Sequence, residues 1–133
     1  MDTLQIVWAP RLLSILRIVA ALIFMEHGTQ KLFGFPPTDM GAPEALSLMW
    51  FGGVLEFVGG LLIAFGLCTR IAAFVVSGEM AAGYWMFHAP SSVFPILNGG
   101  DGAILYCFVF LYLVFAGPGA WSLDGLIGRK AAT

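Results

Sequence analysis

Residues 45–67 read ALSLMWFGGVLEFVGGLLIAFGL, a run with one ionisable side chain, Glu56. A helix that crosses a bilayer needs about 20 predominantly apolar residues, and this stretch supplies them. The rest of the chain has the same character. Its 133 residues are 59% apolar and 11% charged, with a net charge of −2. Soluble domains average about 45–50% apolar and about 25% charged. A soluble fold this short exposes much of its area, and six basic and eight acidic side chains are too few to cover it. Glycine without a fixed period excludes collagen, the apolar content excludes disorder, and two cysteines exclude a disulfide-stapled module. The composition implies one small all-α integral membrane domain over residues 1–133.

Outward from 45–67, proline and glycine cut the chain into a four-helix bundle with spans at about 12–33, 45–67, 71–88 and 101–116. Pro36-Pro37 closes the first span, Ala89-Pro90 the third and Gly117-Pro118-Gly119 the fourth. Only Cys68-Thr69-Arg70 separates the second from the third. With four spans, both termini and that turn share a side, which carries Arg11, Arg70, Arg129 and Lys130. The loops 34–44 and 89–100 hold no Lys or Arg, so the positive-inside rule puts both termini in the cytoplasm. Trp8 and Trp121 fall near the inner boundary and Trp50 and Trp85 nearer the outer one, the expected aromatic belts. The N-terminal apolar run, Ile18 to Met25, ends in Glu26-His27 and does not read as a cleavable signal peptide. Gly52-Gly53, Gly59-Gly60, Ala73, Ser77 and Ala81 read as surfaces for close helix packing in lipid.

Ionisable groups inside a membrane cost free energy and are functional candidates by default. At about 1.5 Å per residue, Glu56 lies about 15 Å from the outer end of its span and Glu79 about 12–13 Å from the inner end of its own. By the same measure Glu26 and His27 stand about 21–22 Å above the inner end and His88 about 25 Å. Lys31 follows His27 by one turn on the same face, and Asp101 opens the fourth span. If the helices converge, Glu26, His27, Lys31, Glu56, Glu79, His88 and Asp101 form a polar column from the outer surface to the midplane. Plainer readings stand beside this one. Arg17 snorkels to the inner interface, Lys31 anchors at the outer one or pairs with Glu26 or Asp101, and Asp101 caps its helix. His88 can be an interfacial histidine, and Glu56 and Glu79 can be glue between helices. The fourth span, whose only ionisable groups past Asp101 are Tyr106, Cys107 and Tyr112, reads as a wall.

Such a column can serve a quinone, which needs polar partners for two carbonyls, a proton route and an apolar slot. A b-haem held by His27 and His88 is a weaker alternative. No Glu-x-x-His motif supports a metal site, no Lys/Arg stripe supports nucleic acid, and no nucleophile constellation is evident. Cys68 and Cys107 lack a CxxC or metal spacing.

Several short motifs occur in a telling order: His27-Gly28 with Lys31-Leu32-Phe33-Gly34, Glu56-Phe57-Val58-Gly59-Gly60, and Gly66-Leu67-Cys68-Thr69-Arg70. Gly78-Glu79-Met80, His88-Ala89-Pro90, Asn98-Gly99-Gly100-Asp101 and Gly117-Pro118-Gly119-Ala120-Trp121-Ser122-Leu123-Asp124 follow. From about Arg11 to Asp124 the chain resembles the DoxX family of small four-helix membrane proteins. The resemblance implies a bundle in a bacterial inner membrane. Members of that family include a subunit of a thiosulfate:quinone oxidoreductase and membrane partners of soluble redox or thiol-stress enzymes. Many relatives carry Glu where this chain has Asp101.

The expectation is therefore a redox-associated membrane protein, a subunit of a quinone-linked oxidoreductase. It would bind a quinone or similar lipophilic ligand through the seven column residues and take electrons from a soluble or membrane redox partner. No catalytic residue is assigned. The alternative is a non-catalytic anchor or assembly subunit for a soluble redox enzyme. Small-residue faces also suit a homodimer.

Overall fold

Pro10 stands in the first turn of helix α1 (Ala9–Phe33), where a residue without an N–H is tolerated. A wider π-type turn, Leu4–Trp8, leads into it. The computed structural model describes residues 2–131, with side chains through residue 128. The side chains of Arg129 and Lys130, two of the expected cytoplasmic charges, lie outside the described residues.

The helix stops are made by glycine more than by proline. α1 ends where Gly34 turns left-handed, at φ 65°, and returns its N–H to Gln30 at 3.0 Å. Pro36-Pro37 only follows that stop. Helix α2 (Leu48–Phe65) starts at Ser47, whose hydroxyl accepts the N–H of Trp50 at 3.2 Å, and ends at left-handed Gly66. It is thus shorter at both ends than 45–67. Helix α3 (Thr69–Gly83) runs on through a π-type turn, Tyr84–His88. A short helix α4 (Pro95–Asn98) lies in the expected loop, and α5 (Asp101–Ala116) matches the expected fourth span. Helix α6 (Leu123–Ala131) was not foreseen. Leu4–Phe33 and Leu48–Phe65 are long and apolar enough to cross a bilayer, whereas α5 is apolar but shorter.

Helices α1, α2, α3 and α5 pack side by side, α1 against α2 and α3 against α5 most extensively. A Cβ added at Gly28 would stand 2.6 Å from the backbone nitrogen of Phe57 and 2.9 Å from the carbonyl of Gly53. Only glycine permits the α1–α2 backbones to meet this closely. The buried core, from Ala21, Phe24, Ile63, Ala72, Ala73, Val76, Phe110 and Leu113, fills the half of the bundle nearer the termini.

That terminal end is tied by side chains that cap helix ends. Arg17 is 0% exposed and does not snorkel, which corrects the sequence reading. Its Nε donates to the carbonyl of Pro118 at 2.8 Å, and its Nη atoms donate to the carbonyls of Ile63, of Ala64 at 2.6 Å and of Trp121 at 2.5 Å. The guanidinium thereby satisfies the Ala64 carbonyl at the end of α2 and adds a second donor to that of Ile63, which also accepts the N–H of Gly66 at 3.0 Å. Arg70 does the same for Val114 and Phe115 at the end of α5. Asp124 caps the start of α3 from a distance, accepting the N–H groups of Cys68 at 2.8 Å and Thr69 at 2.9 Å. Burial raises the Asp124 pKa, but those amide bonds, aided by the charge of Arg17, outweigh it and hold the carboxyl below its usual range. Cys68 and Cys107 are free thiols.

Candidate functional site

The other half of the bundle, toward the loops 34–47 and 89–100, is not solid. It holds a cavity of about 710 Å³ between α1, α2, α3 and α5. Its walls are mostly apolar, with Phe51, Leu55, Val75 and Met86 among the lining residues. Those four side chains are also solvent-accessible. The cavity is accessible from outside the bundle and bordered by these apolar side chains of α2, of α3 and of the Tyr84–His88 turn. Gly52, Gly78 and Gly83 line it as well, and a Cβ at Gly78 or Gly83 would find open space.

Five of the seven residues expected to form the polar column line this cavity: His27, Lys31, Glu56, Glu79 and His88. Lys31 pairs with neither Glu26 nor Asp101. Its Nζ donates to Oε1 of Glu56 at 2.5 Å, across the α1–α2 contact that Gly53 makes possible. Glu56 is 2% exposed, and its second oxygen, Oε2, has no hydrogen-bond partner. Glu79 faces the same region from α3. Its Oε1 lies 3.3 Å from where a Cβ of Gly52 would be, and its Oε2 is buried without a partner.

His88 is held by its surroundings. Its Nδ1 lies 3.0 Å from the carbonyl oxygen of Asn98. A carbonyl only accepts, so Nδ1 carries the hydrogen, and in the neutral ring Nε2 is left as an acceptor. The Asn98 side chain fixes the loop in turn. Its amide donates to the carbonyl of Ser92 at 2.8 Å, and its Oδ1 accepts the N–H of Gly100 at 2.8 Å. The ring of Tyr84 stacks on His88 at 6.3 Å. The π-type turn over Tyr84–His88 is what carries this ring to the cavity, a use of such turns seen at other functional sites.

Glu26 and Asp101 are not among the lining residues, and both are exposed. Asp101 is the first residue of α5 and makes no capping hydrogen bond; Gly100 holds the cap position. The sequence reading missed Tyr106. It stands on a wall of α5, closes the cavity above Phe24 and Phe110, and meets His27 edge-to-face at 6.0 Å. The only sequence signal for it is a hydroxyl in the middle of an otherwise apolar span. Gln30 also lines the cavity. A second, smaller cavity of about 200 Å³ shares Gln30, Lys31, Met40 and Met49 with the first and reaches the 34–47 loop. Among the described residues no cluster of His, Cys, Asp and Glu is arranged to hold a metal ion.

Comparison with known proteins agrees with this architecture. The sequence model of the DoxX family matches residues 12–89. An uncharacterized protein of Haemophilus influenzae is 43% identical over 128 residues, covering 92% of this chain and 96% of its own. Inner membrane protein YqjF of Escherichia coli is 31% identical over 127 residues, covering 86% and 90%. A Bacillus subtilis protein named "Putative oxidoreductase CatD" is 24% identical over 123 residues, covering 87% and 88%. No solved structure matches the chain. With apolar helices and inner-membrane relatives aligned along most of its length, this is a protein of the bacterial inner membrane, and it belongs to the DoxX family.

Proposed function

We propose that this protein is a membrane redox subunit that binds a quinone, or a similar lipophilic ring compound, between its helices and works beside a partner oxidoreductase. The observation that carries the reading is the cavity: apolar walls open toward lipid, enclosing an ion pair, a carboxyl without a hydrogen bond and two histidines. Its volume falls within the range of about 300–1,000 Å³ typical of small-molecule sites. The partnerless buried Oε2 atoms of Glu56 and Glu79 support this reading, because native proteins rarely leave such atoms unpaired without a use.

A bound quinone supplies two-electron, two-proton redox chemistry. The chain supplies the surroundings. Phe51, Leu55, Val75 and Met86 pack an apolar tail, while Glu79 and His88 offer polar partners to the ring oxygens. The Lys31–Glu56 pair holds charge at the far side and leads toward the 34–47 loop, a route for protons. Electrons come from the partner. The likeness to the Bacillus protein named an oxidoreductase supports the redox link. In this reading all four long helices cross the bilayer, with both termini cytoplasmic as the basic residues suggest.

The test is direct. Protein purified from its native membrane is extracted and the extract analysed by mass spectrometry, and the apoprotein is titrated with a decyl-tailed benzoquinone. A co-purifying quinone and a rise in unfolding temperature are expected. Absence of both would leave the cavity empty of function and favour an anchor subunit.

A further inference from the structure

We infer that the segment between α3 and α5, residues 89–100, is an interfacial wedge whose exposed side chains insert among the acyl chains of the bilayer. Val93, Phe94, Ile96 and Leu97 follow closely on it at 81%, 61%, 81% and 74% exposure, and no residue from 89 to 100 is ionisable. An uncovered apolar cluster of this kind marks a surface that meets a membrane or a partner. The 34–47 loop at the same end of the bundle is different. It also exposes Met40, but Asp39 and Glu44 flank that residue in sequence and are exposed with it. Charge is costly in an acyl layer, so of the two loops only 89–100 has a composition that lipid accepts.

Helix length favours lipid over a protein partner, and here the inference rests on the reading that α5 crosses the bilayer. α5 has 16 residues and rises about 24 Å, short of the roughly 30 Å of a hydrocarbon core. Its terminal end stands at a polar boundary, because Arg70, itself exposed, donates to the carbonyls of Val114 and Phe115. The missing depth, about 6 Å, therefore falls at the Asp101 end, beside 89–100. Asp101 is exposed there and keeps the segment at the headgroup–acyl boundary rather than deeper. The backbone suits that place. Pro90 and Pro95 have no N–H to leave unpaired. Leu97 and Asn98 give theirs to the carbonyl of Phe94 at 2.9 and 3.0 Å, and Phe94 gives its own to Oγ of Ser92 at 3.1 Å. The Asn98 side chain ties Ser92 to Gly100. Irregular backbone is tolerated near acyl chains only where such groups find partners. The same segment holds His88 through the carbonyl of Asn98, so lipid contact borders the cavity wall.

Spin labels at single cysteines test this in vesicles of phosphatidylethanolamine and phosphatidylglycerol, with Cys68 and Cys107 replaced by serine. The variants are Ile96→Cys, Leu97→Cys, Met40→Cys, and Phe108→Cys in the middle of α5, where Phe108 is exposed. Collisions with oxygen, which concentrates in lipid, and with a water-soluble nickel chelate are read by power saturation. Labels at 96, 97 and 108 are expected to collide several-fold more with oxygen than with the chelate, and the label at 40 to show the reverse. If 96 and 97 behave like 40 while 108 stays in lipid, the wedge is overturned and the patch is left to a protein partner. If 108 meets the chelate too, the crossing of α5 fails together with the wedge. A wild-type measurement covers any variant that does not fold. A diazirine probe dissolved in the bilayer, photolysed and mapped by mass spectrometry, should mark 93–97 and spare 39–44. Adducts on α5 without adducts on 93–97 overturn the inference as well.

Discussion

Arg17 and Glu79 are both ionisable groups carried into the bundle by apolar helices, one in each half of it. The guanidinium of Arg17 meets the carbonyls of Ile63, Ala64, Pro118 and Trp121. The carboxyl of Glu79 accepts no hydrogen bond among the described residues. Rarity in the membrane is the same signal for both, so rarity does not separate structure from function. Satisfaction does. A charge whose hydrogen bonds are all made within the fold is holding the fold together. An ionisable group with valence left over, beside a cavity, has something still to bind.

Four experiments would break or sharpen that contrast. The largest effect is expected at Arg17. Arg17→Met strips the partners from carbonyls of α2 and of the 118–121 turn, and hydrogen bonds to a charged group are each worth about 1.5–3 kcal/mol. The variant should lose roughly 3 kcal/mol or more of stability, seen as failure to accumulate or a collapsed unfolding temperature in detergent. An Arg17→Met protein as stable as wild type would refute the structural role. Next comes Gly28→Leu, which forces α1 from α2 where a Cβ already meets backbone. A loss of about 1–3 kcal/mol is expected.

Asp124→Asn should cost about 1 kcal/mol, as for loss of a helix cap. Its pH signature is sharper. The folded pKa of Asp124 lies below its unfolded value, so the carboxylate stabilises the fold above about pH 4 and that contribution fades as pH falls through the folded pKa. Stability of wild type and Asp124→Asn should converge as the pH is lowered below about 4. Parallel curves would show that the charge of Asp124 does not matter. The smallest stability effect belongs to Gly78→Leu, whose side chain enters open cavity space. Its unfolding temperature should stay near that of wild type while affinity for the decyl-tailed benzoquinone drops by about tenfold, the equivalent of about 1.4 kcal/mol. Unchanged affinity would move the ligand elsewhere.

The same contrast explains what could be read from sequence. Span positions follow from punctuation, and α5 matches its expected bounds because Asp101 and Gly117 mark both ends. Five cavity residues were legible because a charge or imidazole in an apolar run is conspicuous. Their partners were not. Nothing local to Lys31 points to Glu56, 25 residues on, rather than to Glu26 or Asp101. Arg17 was misread for the same reason: its acceptors are backbone carbonyls up to 104 positions away, which no side-chain pattern announces. Tyr106 was hidden by its aromatic body, which suits an apolar wall as well as a polar cavity. Helix α6 was overlooked because its role lies in Asp124, whose partners are the amides of a turn 55 and 56 residues earlier.

The clasp at the terminal end also sets an order of assembly. Arg17 belongs to α1, but two of its acceptors, Pro118 and Trp121, are synthesised 101 and 104 residues later. The turn at Cys68 and Thr69 likewise waits for Asp124. Until the ribosome has released most of the chain, the first helix carries a guanidinium without its full set of partners and the α2–α3 turn lacks its cap. The bundle is thus closed by its C-terminal segment, like a purse drawn shut from one end. Truncation before Asp124 would leave every long helix and the clasps of Arg17 and Arg70 in place, and would strip only the cap from the α2–α3 turn.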